Sequence, residues 1–331
     1  MIPDMKRADR MVMNNLSRFV PVLQDTGYKG SSGKVAVVGG SIEYTGAPYF
    51  SAKSALRAGA DLAIICCHRD ASSAIKSYSP DIIVRPYPEH FDVVFDEWHP
   101  QLERLRTAHV IVIGPGLGRQ DDVQNVAWNV MAASRKNDKP LIIDGDGLHC
   151  DLSSLPITKW NNVIMTPNAS EFQMLWNKSM DTPSREISPC PHMLGEGLLF
   201  AEVKANHNSY VQDTVALAQK YPGSTIVRKG YQDVISDGSR TWVCGWKGSR
   251  RRVSGQGDIL SGICATMLGW SLRSQNHSSV EAALAACIVV RQASLLTFNE
   301  YGLSMVASDM LKNIGNAVKL FSDMESPGLG S

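Results

Sequence analysis

The feature that most constrains the fold of this chain is a recurring pattern in which a short apolar, β-branched run ends at once in glycine or a polar turn. It occurs as KVAVVGG at 34–40, LAIICC at 62–67, HVIVIGPG at 109–116, PLIIDGDG at 140–147, NVIMTPN at 162–168 and STIVRKG at 224–230. These runs are apolar at both odd and even positions, so each predicts a strand buried on both faces, as in a parallel sheet covered by helices on either side. The segments between them carry a helical period. In DDVQNVAWNVMAASRK, Val123, Val126, Ala127 and Val130 share a face, and Asp121 and Asp122 are expected to supply an N-terminal cap and favourable charge at the positive end of the helix dipole. Repeated strand–helix units imply an α/β fold of three layers with a mainly parallel central sheet and right-handed crossovers.

The alternation continues along nearly all of the 331 residues without a linker-like break, which predicts a single domain over 1–331. Two stretches depart from it. In QDVISDGSRTWVCGW, Asp237-Gly238 between two strand-like runs predicts a hairpin. Residues 177–208, rich in Pro, Ser and Asn and without a clear period, read as a surface insertion.

Charge excludes some partners. With 33 basic against 32 acidic residues the net charge is +1, which predicts neither nucleic acid nor membrane as the main partner. Seven scattered cysteines without a CxxC pair suit reduced thiols and predict a cytoplasmic setting, with a mitochondrial or plastid copy as the alternative. No uninterrupted apolar run reaches the ~18 residues of a bilayer span, and the N-terminal stretch lacks an apolar core of secretory type.

In open α/β sheets ligands bind beyond the carboxyl ends of the strands. Here those ends are VVGGSIEYTGAPYF, VIGPGLGR, IIDGDGLH, MTPNASEF and VRKGYQD. A glycine after a strand often only makes a turn. Five such loops meeting at one edge predict a large cleft.

One further stretch, RRRVSGQGDILSGICATMLGW at 250–270, leads from three arginines through a glycine turn into an apolar run that contains one carboxylate. Ile259, Ile263, Met267 and Trp270 fall on one helical face and Leu260, Cys264 and Leu268 on another, so the helix should be buried. Its first turn, Ser254 through Asp258, presents unpaired backbone N–H groups behind glycines and forms an anion site suited to phosphate. Asp258 then reads either as an N-cap or as a general base beside the bound phosphate, and the glycines and Arg250–Arg252 favour the base.

SGQGDILSG resembles the glycine-aspartate anion-hole motif of ribokinase-like small-molecule kinases. The full set, VVGGSIEYTGAPYFSAKSALRAGADL, IKSYSPDIIV, VIGPGLGR, IIDGDGL, TPNASEF, KGYQD and SGQGD, is similar to the NAD(P)H-hydrate dehydratases of that superfamily. The likeness runs from about Lys29 to about Lys319, and EYTGAPYF and Gln256 resemble the eukaryotic, ATP-using branch. Ser254 departs from the pattern, standing where many relatives have glycine.

The resemblance implies a ribokinase-like fold and ATP-dependent dehydration of the S form of NADH hydrate and NADPH hydrate, a metabolite-repair reaction releasing ADP and phosphate. ATP is then a co-substrate, Mg²⁺ the cofactor, and self-association common. It places Gly114, Gly116, Gly118 and the segment Asn168, Ala169, Ser170, Glu171, Phe172, Gln173 and Met174 on the hydrated dinucleotide, with Tyr44 on its nicotinamide side and Asp258 at the reacting hydroxyl. It assigns ATP to Lys229, Gly230, Tyr231, Gln232 and Asp233 and to Gly248, Ser249, Arg250, Arg251, Arg252, Val253, Ser254, Gly255, Gln256 and Gly257, with the amides of 255–257 as anion hole. Asn168 and Glu171 would organise magnesium through water.

Each assignment has a structural counterpart. Glu171 could only cap its helix, and Lys229 could pair with a carboxylate instead of a phosphate. Asp144 and Asp146 could orient ligand or shape a turn, and Tyr44, Thr45 and Gly46 could serve a staple or turn. Two rival functions use the same features: a ribokinase-like kinase of a vitamin precursor or other small alcohol, and a dinucleotide sensor, which would not need a base at Asp258.

Overall fold

The structure, a computed structural model, describes residues 5–21, 30–87, 103–155, 160–180, 199–204, 208–275 and 277–322. After α1 (Arg7–Ser17) the chain alternates through β1 (Lys34–Val38), α2 (Gly46–Ala58), β2 (Leu62–Cys67), α3 (Arg69–Tyr78), β3 (Ile82–Pro86), α4 (Glu103–Arg106), β4 (Val110–Ile113), α5 (Asp121–Lys136) and β5 (Leu141–Ile143). It continues through β6 (Val163–Met165), α6 (Ala169–Ser179), β7 (Phe200–Glu202), α7 (Ser209–Lys220) and β8 (Ser224–Arg228), then the hairpin β9 (Asp233–Ser236) and β10 (Thr241–Cys244). Three helices close it: α8 (Gln256–Ser271), α9 (Ser279–Tyr301) and α10 (Ala307–Ser322).

The strands form one sheet in the order β3-β2-β1-β4-β5-β6-β8-β9-β10-β7. From β3 to β8 all neighbours are parallel, and β9, β10 and β7 add an antiparallel edge. Alternate residues of each central strand enter different cores. Val35 and Val37 of β1 and Val110 and Val112 of β4 pack with α2, α8 and α9, whereas Ala36, Val38, Ile111 and Ile113 pack with α5 and α6. Burial on both faces explains why these runs carry no polar alternation.

The chain moves outward from β1 to β2 and β3, then returns to pair β4 on the other side of β1. The helix after β1, α2, contributes to one core and the helix after β4, α5, to the opposite one. A crevice therefore opens at the carboxyl ends of β1 and β4, the switch point where doubly wound sheets hold ligands.

Several expectations change. Strand β3 follows none of the doubly apolar runs, because as the sheet's edge it buries only alternate residues: Ile83 is exposed while Ile82 and Val84 are buried. Helix α5 is capped by the backbone of Gln120, with Asp121 and Asp122 in its first turn rather than at the cap. Residues 177–208 are not one loop: 177–179 complete α6, and Phe200–Glu202 join the sheet beside β10, while 181–198 and 205–207 lie outside the described residues. The Asp237-Gly238 turn is as expected, with Gly238 at φ 88° and Asp237 Oδ1 accepting from the Ser239 and Arg240 amides.

Helix α9 is long and apolar enough to cross a membrane, but 83% of its apolar window is buried inside the molecule, which accounts for its composition. Helix α8 is buried from Ile259 to Ser271. It lies so close to α2 that a Cβ on Gly262 would fall 1.9 Å from the Ser51 carbonyl oxygen, and Ser54 Oγ donates to the Ile259 carbonyl at 3.0 Å. This close contact fixes where the first turn of α8 meets the crevice.

Candidate active site

Gly255, at φ 91°, is the N-cap of α8, so Asp258 is not: it lies in the helix's first turn. The left-handed conformation suits glycine, and the space agrees, since a Cβ would meet Ala307 and Phe50 at 2.9–3.0 Å. The amides of the first helical turn have no intrahelical partner. Gln256 N donates to the Val253 carbonyl in a 3.3 Å turn bond and Ile259 N to the Gly255 carbonyl. Of the amides expected in the 255–257 anion hole, this turn bond engages that of Gln256. The Gln256 amide is spent inside the loop, and the amides without a backbone partner among the described residues in this turn include Gly257 and Asp258.

Beneath this turn lies a charged cluster. Asp144, buried at the end of β5, accepts from Thr166 Oγ1 at 2.7 Å and from Lys229 Nζ at 3.0 Å through the same oxygen. Lys229 Nζ also lies 3.7 Å from Glu171 Oε2 and close under Gly257, where a Cβ would come within 3.3 Å. Burial alone would pull the Lys229 ammonium down, but Asp144, Glu171 and Asp258 outweigh it and hold it above its usual range. Lys229 thus makes the carboxylate pairing expected of it as an alternative to phosphate.

Asp258 is half-buried, and its carboxyl is pushed up from 3.8 to about 7. Burial is the main cause, followed by the Asp144 charge. Lys229 pulls the other way, and Glu171 and Asp146 add to the rise. A carboxylate poised near neutrality at a helix N-terminus with open amides can take a proton from a weakly acidic hydroxyl while those amides face the charge on a transferred group.

At the start of α6, Asn168 Oδ1 accepts from Glu171 N at 2.9 Å and Ser170 Oγ at 2.8 Å, and Glu171 Oε2 accepts from Asn168 N at 2.8 Å. Glu171 thus both completes a capping box and faces Lys229. Its carboxyl is raised, chiefly by burial. The capping box turns Phe172 inward, where it is fully buried, stacks on Trp176 and carries the Arg228 guanidinium 4.0 Å from its ring. The Phe172 side chain therefore lies in the core rather than at the crevice. Gln173 Nε2 donates to Asn177, and Met174 packs on the core, so the exposed part of this segment is Asn168, Ala169 and Ser170.

The glycine loops interlock across the crevice. Gly40 N donates to the Pro115 carbonyl, and a Cβ on Gly114, at φ 116°, would fall 1.8 Å from the Asp144 carbonyl oxygen. Gly116 abuts the Tyr44 backbone, and Tyr44 is 52% exposed at the crevice mouth. Thr45 Oγ1 bonds Tyr78, and Gly46 begins α2. Asp146 accepts from the Gly118 amide and from Arg119 Nε, so it shapes this loop.

On the far side, Arg252 donates to the Gly230 carbonyl at 2.9 Å, joining 248–254 to the KGYQD loop. Arg251 is tied to the Met305 carbonyl, Arg250 is exposed, and Ser249 N bonds Ser294 Oγ. Asp233, expected at ATP, is consumed instead by Arg291 Nε at 2.7 Å and the Gly230 amide. Arg291 also donates to the carbonyls of Tyr231, Trp246 and Gly230, and so builds the loop from beneath. Gln232 is buried and Tyr231 exposed. Arg291 and Thr166 were not among the sequence candidates. Arg291 had a visible signal, a lone charge inside the apolar run of α9.

The NAD(P)H-hydrate dehydratase family matches residues 35–316. An ATP-dependent (S)-NAD(P)H-hydrate dehydratase of Rattus norvegicus is 37% identical over 330 residues, covering 96% of this chain and 87% of the relative. One of Drosophila melanogaster is 39% identical over 297 residues, covering 89% and 88%. A ribokinase-like superfamily protein of Enterococcus faecalis superposes with a TM-score of 0.68 at 19% identity, covering 97% and 98%. An ADP/ATP-dependent NAD(P)H-hydrate dehydratase of Bacillus subtilis, co-crystallised with ATP and Mg²⁺, does so with 0.69 at 19%, covering 93% and 97%. The architecture is thus ribokinase-like, and by the extent of these matches the chain belongs to the NAD(P)H-hydrate dehydratase family.

Proposed function

We propose that this enzyme uses ATP to dehydrate the S form of NADH hydrate and NADPH hydrate, restoring NADH and NADPH with release of ADP and phosphate. The observation that carries the reading is Asp258, a carboxyl poised near neutrality in the same helical turn as two open amides. Asp258 accepts the proton of the C6 hydroxyl as its oxygen attacks the terminal phosphorus of ATP, and ADP leaves. The ring nitrogen's lone pair then expels phosphate from C6, and loss of a C5 proton completes the dihydropyridine. The Gly257 and Asp258 amides face the phosphoryl charge. The ATP assignment rests on the named activity of the eukaryotic relatives.

Magnesium fits the donor set. Asp144, Glu171 and Asp258 all act on the Lys229 ammonium, three carboxyl groups on one cation among the described residues that these contacts name. No group of three metal-ligating side chains occurs among the described residues. The ion would therefore be held mainly by the nucleotide's phosphates and water, with Glu171 behind it, and would supply charge neutralisation. Asn168 Oδ1 already accepts two hydrogen bonds, which leaves it a supporting role.

The test is the absorbance of the reduced nicotinamide when purified protein is mixed with NADH hydrate, MgCl₂ and ATP, with ADP, chelator and no-nucleotide controls. The expected result is a rise that needs ATP and is abolished by the chelator. No rise with either nucleotide, alongside measured ATP binding, would overturn the reading in favour of a small-alcohol kinase.

A further inference from the structure

Helices α2 and α8 are joined, where α8 begins, by a series of buried hydroxyls. Ser51 and Ser261 are both fully buried, and their Oγ atoms lie 2.9 Å apart. Ser261 Oγ donates to the Asp258 carbonyl at 2.8 Å. A serine hydroxyl has one proton, so with that proton on the Asp258 carbonyl, Ser261 must accept from Ser51. The series therefore has a direction, from Ser51 to Ser261 to the main chain of Asp258.

Two further contacts from α2 reach the same turn. Ser54 Oγ donates to the Ile259 carbonyl at 3.0 Å and to the Ser51 carbonyl at 2.9 Å. A Cβ on Gly255 would meet the Phe50 ring at 3.0 Å. Residues 50, 51 and 54 lie together on one side of a helix, and between them they touch the main chain before and after Asp258. Glycine at 262 permits the approach, since a Cβ there would also fall 2.3 Å from Ser54 Oγ.

The same helix α2 starts at Gly46, directly after Tyr44 and Thr45, and Tyr44 stands at the crevice mouth against Gly116. One element thus carries the substrate-side loop at its start and grips the Asp258 turn from within its second turn. Stability alone does not account for the two serines. Alanine at either place would pack as closely and is the better helix former. A serine bonded back to its own helix tends to weaken and bend it. The hydroxyls are better explained by what they orient.

We propose that Ser51 and Ser261 are positioning residues, which act through the Asp258 main chain to fix the place of its carboxyl relative to the substrate side of the crevice. This rests on the reading of Asp258 as the base, and the experiment separates the two. Ser51→Ala, Ser261→Ala, the double variant and Thr266→Val are compared with wild type in the full chain. Thr266 is the control: its buried hydroxyl donates to the Ala55 carbonyl at 3.2 Å across the same helix pair, roughly two turns beyond Asp258.

In turnover of NADH hydrate with ATP and MgCl₂, each serine variant should lose about tenfold in kcat, the effect of a displaced catalytic group. Both KM values should stay within about twofold, because a base acts in the transition state and not in binding. The double variant should match Ser261→Ala, since both substitutions break one series. Amide exchange followed by mass spectrometry, without ligands, should speed up about fivefold in residues 257–263 of the same variants. Thr266→Val should change neither kcat nor exchange in that segment. Unchanged kcat in both serine variants, a loss confined to KM, or an equal loss in Thr266→Val would overturn the proposal. Should wild type show no ATP-dependent dehydration, faster exchange in 257–263 would support the coupling and count against the proposed reaction, whereas unchanged exchange would overturn the coupling itself.

Discussion

Replacing Asp258 by asparagine keeps the shape of the side chain and removes both its charge and its ability to accept a proton. Turnover should fall by about 10²–10⁴-fold, the contribution of a positioned general base. The same substitution should make the protein more stable at alkaline pH. The Asp258 carboxyl is raised from 3.8 to about 7, so the folded state binds this proton more tightly than the unfolded chain does. Stability contributed by the neutral form is then complete below the unfolded pKa and is lost as pH rises through the folded one. At 1.36 kcal/mol per pH unit the full shift corresponds to ~4 kcal/mol. Asp258 keeps a solvent-accessible face, and screening there reduces the expected figure to about 2 kcal/mol.

Asparagine carries no charge to be held against this environment. In the absence of nucleotide and metal, Asp258→Asn should therefore unfold at a temperature a few degrees above wild type at pH 8, by ~2 °C per kcal/mol in a chain of this size. At pH 5 the gain should shrink to less than half. Paired thermal scans at the two pH values, with the nicotinamide absorbance assay on the same preparations, measure both effects. A variant less stable than wild type at pH 8 would show that the Asp258 charge is not opposed by its surroundings. Retained turnover would remove it as the base.

Lys229→Met removes a cation that lowers the Asp258 carboxyl, so the acidic limb of the kcat/KM profile should move up from about 7 by roughly one unit; an unmoved limb would refute the coupling. Arg291→Ala leaves Asp233 buried without its partner and should cost about 3–5 kcal/mol in denaturant unfolding, with a raised KM for ATP. A loss under ~1 kcal/mol would show that the pair does not hold the loop. Gly114→Ala sets a methyl group 1.8 Å from a backbone oxygen at φ 116°, and it should abolish soluble expression or collapse the unfolding temperature. Gly302→Ala, at φ 57° with open space around it, is the control and should cost only the backbone strain, about 1–3 kcal/mol.

What was legible in the sequence divides by the range of the interaction. Strands buried on both faces announce themselves, because β1, β2, β4, β5, β6 and β8 need apolar residues at odd and even positions alike. The hairpin was legible because Asp237 and Gly238 carry its turn locally. Strand β3 was not, since an edge position asks for apolar residues only on alternate positions, and Arg85 sits on the open face. Strand β7 was hidden because three residues carry no period, and it is defined only by its pairing with β10.

The site was legible where a residue type contradicted its surroundings. A carboxylate in the apolar run of α8 and a guanidinium in that of α9 both carry a desolvation cost that a partner must offset, so each marks a specific arrangement. Asp258 was recognised by this contradiction, and Arg291 satisfies the same criterion. What no local pattern carries is the direction of a side chain among competing partners. Lys229 sits at a glycine-rich strand end that suits phosphate as well as carboxylate, and only the packing of β5 against β6 and β8 brings Asp144 within 3.0 Å of it. Phe172 lies in a motif whose neighbours face the crevice, yet the capping box between Asn168 and Glu171 fixes the phase of α6 and sends it into the core. A motif therefore identifies which segment meets the ligand, while helix phase and charge pairing decide which of its atoms do so. On that basis the contacts expected of this segment are Asn168 to Glu171 rather than all seven residues to Met174.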